Sequence, residues 1–591
     1  MFRFIKIFIP GCALSCGGCL FLIVAFLGLV FFGAISANRS QFQAANGVPR
    51  MLVIDLSQPI VNFAISRESF AFSARDRQSI SVWDFERKII KAAKDPNICG
   101  IALVGYFTEA SFAQVAEIRS MLERFKAAGK PVYAYLENPG LAEYYAASVA
   151  TEVYMNPSGT LEFKGIAINS AYFANALKKY GLDAQVIKAG KFKSFGEIFT
   201  SDKMSPENKA ILSAIADSIW GGVLKDVAAS RGVELARLKE ISDKTPLLEA
   251  GEALELGMLD GVLYRDGFLA RMAEFSGRDE AANSFNQVSI LNYASDFKIR
   301  MGNVKPHSVA IVYMEGEVVD SEVSARGMVA SRPYCKLLRD LAEDDSVKGV
   351  VLRIDSPGGS AYASEEIRHE VEKLAAKKPV IASMGSTAAS GAYWIACAAD
   401  KIFAQQNTIT GSIGVFAVKF SGKTLANNFG ITFDGVKTSP MADIDTLTRP
   451  LSGPEIAVLQ KSVDSMYDKF IKTVAKGRKL PESEVLKLAE GRIYLAGDAS
   501  ETKLFDEIGG LSAALEFCAK VDAPEGLLNL DIVQYPYAMT FADFWASFSE
   551  GGEPFSQVKK FIFERFAPRQ LESLLEGGEM RAQMPLVLEI K

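Results

Sequence analysis

The chain opens on an uninterrupted apolar stretch and then settles into alternation. From Ile7 to Ser36 no residue carries a charge, and Cys19 to Ile35 reads CLFLIVAFLGLVFFGAI. At about 1.5 Å per helical residue, such a run is long enough for the roughly 30 Å hydrocarbon core of a bilayer. Arg3 and Lys6 precede it and Arg39 is the first charge after it. That asymmetry predicts a cytoplasmic N-terminus, with the rest of the chain on the exported side of an inner membrane. Ala34-Ile35-Ser36 also resembles a small-x-small cleavage site, so a removed signal peptide is the alternative. No later stretch is long and apolar enough to span a membrane.

Beyond this segment, short apolar runs alternate with stretches of helical periodicity. SVAIVYM (308–314), GVVLRID (349–355), PVIASM (379–384) and KIFA (401–404) read as strands. Tyr334 to Leu341, Ser364 to Ala375 and Ala388 to Ala399 read as helices. Strand–helix alternation of this kind predicts an α/β fold with largely parallel strands and crossover helices.

The body repeats itself at a separation of 246–249 residues. Gly100-Ile-Ala-Leu-Val matches Gly349-Val-Val-Leu-Arg, and Tyr144-Tyr-Ala-Ala-Ser matches Tyr393-Trp-Ile-Ala-Cys. Pro206-Glu207 matches Pro454-Glu455, and Ala250-Gly-Glu-Ala matches Ala496-Gly-Asp-Ala. A preserved order at a near-constant shift marks a tandem duplication. The predicted organisation is an anchor at 1–46, one domain at 48–300, a second at 306–535 and a tail at 536–591. The linker falls at 283–306. The tail is rich in aromatics, with Tyr537, Phe541, Phe544, Trp545 and Phe548, then Phe561, Phe563 and Phe566. It reads as a docking helix or, alternatively, as a second membrane contact.

Composition narrows the chemistry. Lys plus Arg is 65 and Asp plus Glu is 70, a net charge of −5, which gives no electrostatic footprint for nucleic acid. His307 and His369 are the only histidines, so a His-rich metal site is excluded. Neither suits a serine base: His307 precedes a predicted strand and His369 lies in a charged helix. Cys12, Cys16 and Cys19 sit at the edge of the apolar run and read as incidental. Cys99, Cys335, Cys397 and Cys518 are scattered and read as small buried hydrophobes rather than a disulfide framework.

Two motifs could carry a reaction. DSPGGS (355–360) follows a strand and precedes a helix, and Gly358 and Gly359 leave backbone N–H groups uncovered for an anion. TGSIG (410–414) places Ser412 among small neighbours that would let a carbonyl approach. The duplication sharpens both. Shifted by 249, Ser412 lands on Phe163 and the DSPGG turn lands on Tyr106 to Ala110, so both motifs belong to the second half alone. The first half has AGKFKSFGEIFTSDKMSPE (189–207), and its Lys193 lands on Ala442. A serine needs a base, and a lysine stripped of solvent can serve as one. A lysine from one half meeting a serine from the other would make the seam the active site.

TGSIGVF, DSPGGS, SMGSTAASGAYW (383–394) and GKFKS…MSPE together resemble the signal peptide peptidase A family in its long, double-domain form. The resemblance covers nearly all of the chain after the anchor. It implies tandem domains of the Clp protease/crotonase fold group and a membrane-anchored Ser/Lys peptidase that degrades signal peptides and other apolar peptides. No cofactor or metal is implied, and a homotetramer is expected. The resemblance puts the nucleophile on Ser412 and the base on Lys193. It suggests oxyanion or substrate contacts at Ile413, Gly358, Gly359 and Gly385, and Asp434 as a group orienting the lysine. Ser390 matches the position where Clp protease relatives carry their nucleophile; with no histidine suitably placed after it, it reads as structural. The alternatives are a crotonase-like acyl-CoA enzyme and an inactive peptide-binding scaffold.

Overall fold

The computed structural model describes residues 47–63, 79–108, 110–294, 308–323, 325, 327–521, 524–536 and 581–583. The expected membrane segment, His307 and all of the tail except Pro536 and 581–583 lie outside the described residues.

The repeat seen in the sequence is a repeat of sheets. In the first half, parallel strands lie side by side in the order Gly261–Val262, Glu152–Met155, Val132–Leu136, Ile98–Val104, Arg50–Asp55, Gln287–Ser289. In the second half the order is Glu507–Ile508, Lys401–Ala404, Val380–Ala389, Val347–Ser356, Ser308–Glu315, Ile532–Tyr535, again all parallel. Each half also has a short antiparallel pair, Thr160–Glu162 with Leu247–Glu249 and Ile409–Gly411 with Ile493–Leu495, and the first half has another, Arg278–Asp279 with Ser284–Phe285.

The central strands are apolar throughout because helices cover both faces of a parallel sheet. Val350, Val351 and Leu352 are all buried, with no alternation. The covering helices are one-sided: in Ser331–Glu343 the buried residues are Ser331, Tyr334, Cys335, Leu338 and Leu341. That spacing is one face of a 3.6-residue period. Cys335, Cys397 and Cys518 are buried free thiols, in keeping with the sequence reading.

One expected boundary moves. The strand expected at 379–384 runs on to Ala389, and the helix expected from Ala388 to Ala399 spans only Gly391–Ala396. Ala388 and Ala389 favour helix intrinsically, but here they pair with Thr410 and Gly411. Tertiary pairing overrides propensity.

The halves are not separate bodies. A third sheet runs Met328–Ala330, Glu317–Val319, Gly358–Ser360, Arg581–Gln583, Val415–Ser421, Asp183–Ala189, so its last strand comes from the first half. Asp183–Ala189 and Val415–Ser421 pair antiparallel along their whole length. Ala389, Ile409, Ile493 and Leu495 sit in the apolar core of the first half. Trp83 enters a second-half cluster with Ile311, Leu511 and Leu515. A buried ion pair crosses the same boundary: Arg353 Nη2 lies 3.0 Å from Glu117 Oε2. The Arg353 Nε donates to Asn62 Oδ1 at 3.2 Å, and Asn62 Nδ2 donates to Asp355 Oδ2 at 2.8 Å. Asp355 Oδ1 also accepts from the Thr387 amide. The DSPGGS turn is therefore tied down by residues of the other half.

Candidate active site

Lys193 reaches the seam because of the strand before it. Asp183–Ala189 is zipped to Val415–Ser421 from Asp183↔Ser421 to Ala189↔Val415. The chain then turns at Gly190, where φ is +111° and a Cβ would meet the Glu490 carbonyl carbon at 2.7 Å. Phe192 N donates to Glu490 O at 2.7 Å. On the facing loop, Gly491 has φ +77°, and a Cβ there would lie 2.5 Å from Lys193 N. Both turns need glycine, for the left-handed backbone and for the close approach. Lys191, two residues away, is exposed and faces Glu207.

Lys193 is 1% exposed. Its Nζ lies 2.6 Å from Ser390 Oγ, 3.0 Å from Ser412 O and 3.0 Å from Ser412 Oγ. These serines are 197 and 219 residues away in sequence. Burial drives the ammonium well below the ordinary lysine range, with desolvation as the cause. Removing water disfavours the charged form, and no neighbouring charge among the described residues offsets it. Burial therefore favours the neutral amine over the ammonium.

The two serines are held differently. Ser390 ends the strand Val380–Ala389 and caps the buried helix Gly391–Ala396, with φ 58° and ψ −120°. Positive φ is costly for a residue with a side chain and persists where the surroundings enforce it. Here Ser390 N donates to Gly411 O, and Trp394 N donates back to Ser390 O. Trp394 stacks on Phe470 with ring centroids 4.2 Å apart, and its Nε1 donates to Glu365. Ser412 follows the strand Ile409–Gly411 with φ 53°. Its amide donates to Arg492 O at 2.7 Å, and Gly491 N donates to Ile413 O at 2.8 Å. Ser412 offers both its hydroxyl and its carbonyl to the lysine, a chelate around the amine head.

The remaining sequence-predicted residues divide. Gly358 and Gly359 form a strand beside the Ser390 helix, but the Gly358 amide donates to Ser356 Oγ at 3.1 Å. Gly359 has φ 156°, and a Cβ would meet Val318 O at 2.0 Å, so only glycine fits. Ile413 is fully buried next to Ser412. Gly385 lies against the Asp355 carboxylate, and its carbonyl accepts from Thr408 Oγ1; it does not touch the lysine. Asp434 is not brought to the site at all. It sits on an exposed segment, where its carboxylate accepts only from the neighbouring Gly435 amide. It therefore makes no contact with the lysine, contrary to the expectation that it orients it; the polar partners of Lys193 Nζ among the described residues are Ser390 and Ser412. His369 is exposed on its helix. Ser390, read from sequence as structural, instead makes the shortest contact to Lys193.

The model of peptidase family S49 matches residues 124–278 and 372–523, one copy in each half. The chain belongs to peptidase family S49. The first copy contains Lys193 and the second contains both serines. A Haemophilus influenzae protein named Protease 4 is 34% identical over 74% of this chain and 72% of its own. Protease 4 of Salmonella typhi is 32% identical over 85% and 82%. Serine protease SPPA, chloroplastic, of Arabidopsis thaliana is 30% identical over 75% and 66%. A solved structure of a ClpP1 mutant from Listeria monocytogenes matches at TM-score 0.24 and 18% identity, over 35% of this chain and 94% of that one. As an S49 member the chain is a serine protease, which favours peptide hydrolysis over the acyl-CoA and inert-scaffold alternatives.

Proposed function

We propose that this S49 peptidase uses Ser390 as nucleophile, Lys193 as general base and Ser412 as the clamp that holds the lysine. The observation that carries the reading is the 2.6 Å contact between the buried, solvent-stripped Lys193 Nζ and Ser390 Oγ. A neutral amine has two N–H groups and one lone pair. One N–H is committed to the Ser412 carbonyl, which can only accept. The lone pair and the other N–H face the two hydroxyls, and the shorter contact is to Ser390. Ser390 also stands at a strand-to-helix turn, where the first helical amides lack intrahelical partners. The Gly391 amide is thus the leading oxyanion donor, in place of Gly358. The Ser412 amide is already engaged.

In this mechanism Lys193 takes the proton from Ser390 Oγ as that oxygen attacks a peptide carbonyl, then gives it to the leaving amine. A water activated by the same lysine releases the acyl-enzyme. The substrates are apolar peptides, including signal-peptide remnants. The uncharged run from Ile7 to Ser36 supports an anchor that places the body on the exported side of the inner membrane. Phe429, Ile431, Phe433 and Val436 are exposed on one segment. An apolar patch of this kind suits a contact between copies in a homo-oligomer, a tetramer being the expectation.

The test is hydrolysis of a fluorogenic apolar peptide by wild type, Ser390→Ala, Ser412→Ala and Lys193→Ala, with folding and oligomer size checked. Near-complete loss in Ser390→Ala and Lys193→Ala, with a partial loss in Ser412→Ala, supports the roles. A near-complete loss in Ser412→Ala with Ser390→Ala still active would exchange the two serines.

A further inference from the structure

The loop after the helix Glu482–Leu488 touches both the lysine turn and the strand end that carries Ser412. On one side it extends a ladder. Gly411 pairs with Ile493, and beyond that pair Ser412 N donates to Arg492 O at 2.7 Å and Gly491 N donates to Ile413 O at 2.8 Å. On the other side it grips the turn from Gly190 to Lys193. Phe192 N donates to Glu490 O at 2.7 Å, and Lys191 N donates to the Glu490 carboxylate at 3.1 Å. Glu490 N in turn donates to the Tyr467 hydroxyl at 3.1 Å. Residues 490–492 thus reference the lysine and its Ser412 clamp to one short piece of backbone.

Glu490 sits there against its own backbone preference. Its φ is 62°, in the left-handed region that glycine enters freely and a glutamate rarely does. Such a conformation persists where the surroundings enforce it. The amide and carbonyl bonds would survive most substitutions at this position. The bond from Lys191 N would not, because its acceptor is the side chain. It is the side-chain hydrogen bond that joins the loop to the turn, two residues before the buried amine.

We infer that Glu490 is a positioning residue for the general base: its carboxylate, acting through the Lys191 amide, holds the turn shut so that Lys193 Nζ stays buried between Ser390 and Ser412. The inference rests on the peptidase reading above. Glu490 touches no reacting atom. Without its tie the turn can lift, water reaches the amine, and the contact to Ser390 Oγ lengthens. Other charged groups face the turn. Lys188 Nζ donates to Lys193 O at 3.3 Å and lies 3.9 Å from Glu197, Lys191 lies 3.5 Å from Glu207, and the Arg492 guanidinium stands over the Phe192 ring at 4.7 Å. All are at least partly exposed, and burial is what depresses the lysine. Entry of solvent is therefore the change to which the base responds: it titrates closer to the ordinary lysine range, and more of it is protonated and idle at a given pH.

Hydrolysis of a fluorogenic apolar peptide across pH by the full-length wild type, Glu490→Gly and Glu490→Gln tests this, with thermal unfolding of each. Glu490→Gly relieves the left-handed backbone and removes the carboxylate, whereas Glu490→Gln keeps an oxygen that can accept from Lys191 N. Glu490→Gly is expected to fold with a Tm near that of wild type. Its kcat should fall about five- to tenfold, the worth of one hydrogen bond, with KM within about twofold. The limb of kcat that rises with pH should move to higher pH. Glu490→Gln is expected to restore most of the rate and the wild-type limb. An active wild type with an equally active Glu490→Gly overturns the inference and leaves the peptidase reading intact. So does a slower Glu490→Gly whose pH limb has not moved, one that fails to fold, or a Glu490→Gln as impaired as the glycine variant. A wild type inert toward the peptide removes the peptidase reading and this inference with it.

Discussion

The two halves of the chain are one scaffold used twice, and they part company at a few positions. Both lay six parallel strands in the same order and both add an antiparallel pair, which is a separate ribbon in the first half and is joined to the sheet in the second. In the second half the helix following the third strand starts at Ser390, with φ 58°. In the first half the corresponding helix is capped by Gly140, with φ −79° and ψ −177°, an ordinary extended entry. The first half therefore has no strained elbow and no hydroxyl there. Conversely, Lys193 of the first half corresponds to Ala442, exposed on a loop of the second. The framework is present twice, and the lysine and the two serines that meet at the seam are divided between the copies. The serines stand on one copy and the lysine on the other, joined by the antiparallel pairing of Asp183–Ala189 with Val415–Ser421.

That division can be tested from either side. The largest effect should come from the reacting pair. Ser390→Ala and Lys193→Ala should each lower kcat/KM by about a thousandfold or more while the fold survives, since members of a catalytic unit fail together. Next comes the ion pair that locks the halves. Glu117→Ala leaves the Arg353 guanidinium buried without its carboxylate and should cost about 3–5 kcal/mol of stability, read by denaturant unfolding. Replacing both partners by apolar residues should cost much less, because no charge is then stranded.

Ser412→Ala should fall between these and no effect. It removes one hydrogen bond to the lysine and spares the carbonyl contact, so about a tenfold loss is expected, or roughly 1.4 kcal/mol. Lys193→Met addresses the cost of the arrangement. In the folded chain burial lowers the pKa of the amine, whereas in the unfolded chain it titrates in the ordinary lysine range. Between the two values the unfolded state binds the extra proton, so the penalty grows by about 1.4 kcal/mol for each pH unit of descent. It levels off below the folded value. Lys193→Met should therefore stabilise the protein most at low pH, and the gain should shrink as pH rises toward the ordinary lysine range. Asp434→Ala should change hydrolysis by less than about twofold, since the carboxylate bonds only within its own loop.

How much of this was legible beforehand depends on what each residue's role rests on. The sheets were legible, because parallel strands buried on both faces are apolar without a break, and the repeat fixed their correspondence. Lys193 was legible as a residue unique to its copy. Ser390 was not, although AASGAYW offered a signal: a serine followed by glycine between an apolar run and an aromatic helix marks a tight strand-to-helix turn. The lack of a histidine after it makes it read as structural, a criterion that a lysine base makes irrelevant. The choice between Ser390 and Ser412 depends on distances across 197 and 219 residues, which no local pattern encodes. Asp434 was suggested by the resemblance alone, and no local pattern shows which way its exposed loop projects. The helix boundary near Ala388 moved because strand pairing with Thr410 and Gly411 outweighed alanine's preference.

The central claim is that Ser390, activated by a lysine from the other half, is the nucleophile. The most direct test is to acylate the wild-type enzyme with a serine-reactive active-site probe and map the adduct by peptide mass spectrometry. The same labelling, repeated across pH, reports the titration of the base. The account predicts a single adduct on Ser390, lost in Lys193→Ala, with a labelling rate that rises at a pH below the ordinary lysine range. An adduct on Ser412, or labelling of Ser390 that is indifferent to the loss of Lys193, would contradict it.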